Sequence, residues 1–180
     1  IFFGCDIFST RDAEPPEQPR TNLHPATTPE VLIDNLVSSI KDVVVEDYLS
    51  CFTDSTFSGK NFVFVPSSGS AQLYPAFSDR WDKQKEEQYF NNMKSNIEGN
   101  LPITLLLTDI SSTPFGDSLI YSAKYYLTVP HNVSNIPKSF QGDLRFSLIR
   151  DSRLLWTITS WQDIKNDEFP GWSELKGRFY

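Results

Sequence analysis

Between Leu119 and Val129 the chain alternates strictly: Leu119, Tyr121, Ala123, Tyr125, Leu127 and Val129 take one parity, and Ile120, Ser122, Lys124, Tyr126 and Thr128 the other. A period of two sustained this long requires a β-strand with one face turned toward a core. The flanking sequence continues the pattern. Ile103 to Ile110 is a strand rich in Leu and Thr, and Pro114 to Asp117 makes the turn into the alternating segment. After a loop from Pro130 to Gln141, Leu144, Phe146 and Leu148 alternate with Arg145 and Ser147. Asp151-Ser152-Arg153 then turns tightly, and Leu154, Trp156 and Ile158 carry the inward face onward. Trp161 falls one residue out of step, which predicts a bulge or the end of the strand.

The first half reads as helix. Thr28-Pro29-Glu30 is a helix start, with Thr28 as N-cap, Pro29 in the first position and Glu30 in the first turn. Leu32, Ile33, Leu36, Val37 and Ile40 follow as one apolar stripe, ending near Lys41-Asp42. A second, short helix places Val45, Tyr48, Leu49 and Phe52 on one face. Polar residues from Asp54 to Lys60, with Gly59, form a turn, and Phe62 to Val65 a short strand. Ser67 to Ser70 reads as a flexible loop, without the lysine a phosphate cradle needs. Asp79 to Ile97 returns to helical period, with Trp81, Glu86, Tyr89, Phe90, Met93 and Ile97 inward.

Three helices followed by long antiparallel strands predict an α+β fold in which N-terminal helices cover one face of a curved sheet. This order resembles the nuclear transport factor two-like superfamily, the cystatin-like or SnoaL-like cone. The resemblance rests on the paired helices ending in Tyr48-Leu49-Ser50-Cys51-Phe52, the short strand after them, and the final strand Trp156-Thr157-Ile158-Thr159-Ser160-Trp161-Gln162-Asp163. It implies a cone domain over residues 29–165. It also implies a space between sheet and helices that some members use for isomerase, cyclase or dehydratase chemistry and others for binding alone. Residues 166–180 are expected to be an appendage, packed back through Trp172 and Leu175.

Composition narrows the function classes. A net charge of −7 and a pI near 4.8 argue against nucleic acid, whose phosphates require a basic face. No later apolar run approaches the ~18 residues a membrane span needs. Phe, Tyr and Trp make up 14% of the chain, which favours either a large core or an aromatic-lined cavity.

The N-terminus points to the cell envelope. Ile1-Phe2-Phe3-Gly4-Cys5 looks like the tail of a bacterial lipoprotein signal peptide, with lipidation expected at Cys5. The chain starts without Met, so the basic leader and the rest of the apolar core are expected upstream. Residues 6–28 carry Pro15, Pro16, Pro19 and Pro25 among charges and are expected to form a semi-rigid, disordered spacer. This layout implies a membrane partner reached through a lipid anchor, in the inner or outer membrane of the envelope. Cys51 is then a lone thiol, the competing reading being a Cys5–Cys51 disulfide.

Catalytic signals are sparse. His24 is expected in the spacer and His131 in a surface loop, and no histidine, cysteine or carboxylate cluster has metal-ligand spacing. No G-x-S-x-G elbow begins a Ser-His-Asp triad, and no cofactor is implied. Glu86 and Asp163 are the candidate acid–base groups, because a carboxylate beside indole rings is desolvated. Their plainer reading is a helix-surface charge paired with Arg80 or Lys83 for Glu86, and an exposed strand end for Asp163. Tyr48, Phe52, Trp81, Tyr89, Tyr125 and Trp156 are expected to converge between helices and sheet, lining a pocket for a small apolar ligand or filling a core. The expected role is a ligand-binding or structural module that meets a small ligand or a protein partner. The alternative is an isomerase or hydratase using a carboxylate with a tyrosine.

Overall fold

The computed structural model describes residues 23–99, 101–166 and 168–180. Cys5 and its signal, and most of the spacer expected over 6–28, lie outside the described residues. Helix α1, Pro29–Asp42, begins as the sequence predicts: Val31 N–H donates to Thr28 Oγ1 at 3.4 Å, and the helix ends at Val43 with φ 54°. Its stripe of Leu32, Ile33, Leu36 and Ile40 is buried. Helix α2, Val45–Ser50, turns Tyr48 inward. A single turn, α3 (Ser55–Ser58), is capped by Asp54 and closed by Gly59 at φ 64°, a left-handed position that suits glycine.

Strand β1, Val63–Val65, leads into helix α4, Ser68–Leu73, where a flexible loop was expected. Hydrogen bonds from Ser67 Oγ to Ser70 Oγ (3.1 Å) and from Ser67 N–H to Ser173 Oγ (2.9 Å) order this run of small residues. Helix α5, Lys83–Ser95, starts later than predicted because Trp81 is drawn away, its carbonyl accepting from Phe64 N–H of β1 at 3.0 Å. Asp82 then caps the helix, accepting from Gln84 N–H and Lys85 N–H at 3.0 Å each.

The β half follows: β2 (Thr104–Phe115), β3 (Ser118–Thr128), β4 (Ser139–Arg150) and β5 (Trp156–Lys165). They form a five-stranded sheet in the order β1-β5-β4-β3-β2, with β1 parallel to β5 and the other pairings antiparallel. The fold is α+β, its helices packed on one face of this mixed sheet. Tyr121, Ala123, Tyr125 and Leu127 of β3 are buried as the alternation requires, opposite Phe146, Leu144, Gly142 and Phe140 of β4 respectively.

Trp156 is a correction. It opens β5 opposite Arg150, at the end of the ladder, and is only partly buried beneath the Arg150 guanidinium, 5.1 Å from its ring. Leu154, expected inward, is 70% exposed at φ 63° in the turn that Asp151 organises through Arg153 and Leu155. Beyond Ile158 the pairing shifts, with Leu148 facing Ile158 and Ser147 facing Ser160. This bulge moves the inward parity onto Trp161 and Asp163, both fully buried.

Three further expectations are revised. Residues 172–179 are helix α6 (Trp172–Phe179), with Trp172, Ser173, Leu175, Lys176 and Phe179 buried, so the tail belongs to the core. Ala26 is buried and its carbonyl accepts from Trp156 N–H at 2.8 Å, while Asn35 grips the His24 backbone in both directions, so the last residues of the spacer join the domain. His131 is buried rather than on the surface. Its Nδ1 accepts from Val133 N–H at 3.2 Å, and its ring packs against Phe179.

Candidate functional site in the interior of the cone

Helices and sheet place two carboxylates inside the fold, each with polar partners. Glu86 lies in the first turn of α5 on the same face as Tyr89, Phe90 and Met93, and it has no exposed surface. Tyr48 O–H donates to its Oε1 at 2.5 Å and Trp81 Nε1–H to its Oε2 at 2.6 Å. Its counter-ion is Lys176 of α6, equally buried. Neither Arg80 nor Lys83, the surface partners considered from sequence, takes that place. Arg80 is exposed, and Lys83 Nζ reaches the Phe52 carbonyl at 3.4 Å.

The Lys176 ammonium sits in a ring of aromatic faces. Its nitrogen is 4.2 Å from the Trp161 ring centre, 4.3 Å from Phe64, 4.7 Å from Tyr89 and 5.6 Å from Trp81. At such distances the negative face of each ring attracts the cation, and more strongly where water is excluded. Burial pushes the Lys176 ammonium down to about 8, against the opposing pull of Glu86 and then of Asp163. Burial, and next the Glu86 charge, hold the Tyr48 and Tyr89 phenols well above their usual range.

Asp163 forms a second centre at the far end of β5. Tyr125 O–H donates to Oδ1 at 2.7 Å, while Ser173 N–H and Oγ–H donate to Oδ2 at 2.7 and 2.5 Å. The Tyr125 oxygen in turn accepts from Trp172 N–H at 2.6 Å. Burial raises the Asp163 carboxyl, while the hydrogen bonds from Ser173 and Tyr125 act to lower it. Asp163 is thus a buried group at the N-terminus of α6, not an exposed strand end. Gly142 makes room for this contact, since a Cβ there would lie 2.9 Å from the Tyr125 hydroxyl and 2.8 Å from the Ile164 carbonyl.

Tyr48, Phe52, Trp81, Tyr89 and Tyr125 do converge in the interior, each with 1% exposure or less, whereas Trp156 stays outside this group. The space they surround is occupied by α6. Trp172 meets Trp161 edge to face at 4.5 Å and Tyr125 at 5.2 Å, and its Nε1–H donates to the Tyr89 hydroxyl oxygen at 3.2 Å. Phe64, Trp161, Trp172, Ser173 and Lys176 are residues of this interior that the sequence does not assign to the site. The available signal was the spacing of Trp172, Leu175, Lys176 and Phe179 behind Pro170-Gly171, an apolar helical stripe with one lysine on it.

Among the described residues no group of histidine, cysteine and carboxylate side chains could hold a metal ion. Cys51 is a free, buried thiol that donates to the Asp47 carbonyl at 3.6 Å, and burial pushes it up to about 12. Such a thiol is unsuited to nucleophilic chemistry.

No protein-family model and no curated protein sequence matches the chain. Solved structures do. An NTF2-like superfamily protein from Salmonella enterica has 13% identity and a TM-score of 0.56, covering 78% of this chain and 87% of its own. A cystatin-like protein of unknown function from Nostoc punctiforme has 11% identity and a TM-score of 0.52, covering 77% and 89%. A proposed dehydratase of the NTF2-like family from Streptomyces avermitilis has 10% identity and a TM-score of 0.56, covering 74% and 90%. The fold is therefore the NTF2-like, cystatin-like cone. That fold is compatible with ligand binding and with catalysis alike.

Proposed function

We propose that this chain is a ligand-binding module whose cone is held shut at rest by its own C-terminal helix. The observation that carries the reading is the use of both interior carboxylates: Glu86 and Asp163 are each taken up by residues of α6. In this closed form neither carboxylate meets a substrate, and the phenols beside them are held protonated by burial. Helix α6 follows β5 and pairs with no strand, so it can leave without unzipping the sheet. An enzymatic reading, with Asp163 and Tyr125 as the acid–base pair, is favoured by the dehydratase-like neighbour. It needs the same opening.

Amide hydrogen exchange read by mass spectrometry tests the opening. Peptides covering Trp172–Phe179 are expected to exchange by local detachment, well ahead of β3, β4 and β5. Exchange of α6 only in step with the central strands would mean a sealed structural core, and the ligand-binding reading would fall.

We further propose a lipid tether at Cys5, supported by Gly4-Cys5 and the proline-rich segment that follows. Expressed with a lipoprotein leader in bacteria, the protein is expected in the detergent phase, and Cys5→Ser in the aqueous phase. Identical partitioning of the two would remove the tether.

A further inference from the structure

We infer that the interior of the cone is a recognition site for a primary ammonium group, with Lys176 as its resident intramolecular occupant, and that the ligand class it takes is a small aliphatic amine. The inference rests on the reading of α6 as a removable closure. Every part of the cage except the cation comes from outside α6. Tyr48 is on α2, Phe64 on β1, Glu86 and Tyr89 on α5, Trp161 on β5, and Trp81 lies between β1 and α5. Tyr48 and Trp81 orient the Glu86 carboxylate through two hydrogen bonds that do not involve Lys176. With α6 away, the site keeps a positioned anion, four aromatic rings and a second carboxylate at Asp163, but no cation.

That is the chemistry of an ammonium pocket: rings attract the charge through their faces, and one carboxylate fixes the N–H direction. A core selected for packing alone has little reason for this arrangement, because a buried ion pair is commonly matched or surpassed in stability by apolar residues of similar volume. Bulky quaternary ammonium groups cannot use the Glu86 carboxylate as hydrogen-bond acceptor.

The test is chemical rescue. Lys176→Ala removes the side chain beyond Cβ, a piece that n-propylammonium replaces atom for atom. Adding n-propylammonium chloride to this variant is expected to raise the thermal midpoint saturably, by several degrees. The unsubstituted protein should respond only at far higher concentrations of the same salt, since Lys176 competes for the cage at high effective concentration. n-Propanol, neutral and of equal length, should give no saturable rise, and neither should n-propylammonium on Lys176→Ala combined with Glu86→Gln. If Lys176→Ala does not fold alone, folding is expected to appear on adding the amine. Equal rescue by amine and alcohol, or rescue by neither, overturns the ammonium site. Because rescue reports on the cage and hydrogen exchange on the closure, failure of the one is distinguishable from failure of the other.

Discussion

Glu86→Gln is expected to lose about 3–5 kcal/mol of unfolding free energy, since it leaves the Lys176 charge buried without its counter-ion. Lys176 has no exposed surface. Lys176→Met is expected to lose a similar amount for the mirror reason, the Glu86 carboxylate then being buried with only Tyr48 and Trp81 as donors. Against a domain stability of about 5–15 kcal/mol, either loss is large. Combining the two removes both charges, while the Gln carbonyl still accepts from the Trp81 indole and the Gln amide N–H turns to the Tyr48 oxygen, which can accept. The double variant is therefore expected to be more stable than either single one. Urea unfolding of the four proteins gives the coupling directly. Losses that simply add, to within about 0.5 kcal/mol, would mean the two side chains do not meet.

Trp172→Ala is expected to lose about 3–5 kcal/mol, the range for removing a large ring from a packed site. Trp172 is 2% exposed, meets Trp161 and Tyr125 edge to face, and satisfies its indole N–H at Tyr89. The Tyr125 ring is tied to Asp163, which holds it back from the void. Trp156→Ala should lose clearly less, since that ring is only partly buried at the end of the sheet. Sequence parity alone predicts the reverse order, with Trp156 the central residue. Denaturant unfolding of both variants decides between the two, and a larger loss at Trp156 would contradict the register of β5.

The parts of the fold legible in the sequence are those whose information is local. The β3 alternation, the Thr28 cap and the α1 stripe each lie within a dozen or so residues, and each is reproduced in the structure. The bulge in β5 was legible as a break at Trp161. Its consequence for Trp156 was not, because where a strand meets the edge of its cover depends on the partner strand. Glu86 and Asp163 stood out as carboxylates beside indoles, and both are buried. Their partners could not be read, because the cation for Glu86 comes 90 residues later. A lysine on a short apolar stripe looks like an interruption of that stripe until the helix is seen to enter a cavity that holds a carboxylate. Ser67 to Ser70 misled for a related reason: small polar residues look flexible until α6 supplies Ser173 as their partner.

The central claim is that α6 fills the cone with Lys176 at its centre, and lysine accessibility tests it most directly. The side chains of Lys124 and Lys138 are 52% and 53% exposed, whereas Lys176 is 0% exposed. Reductive methylation of the folded protein, mapped by mass spectrometry, is expected to modify Lys124 and Lys138 well before Lys176. Unfolding in urea should bring Lys176 to the same rate as the others. Modification of Lys176 alongside Lys124 and Lys138 in the folded protein would contradict the account.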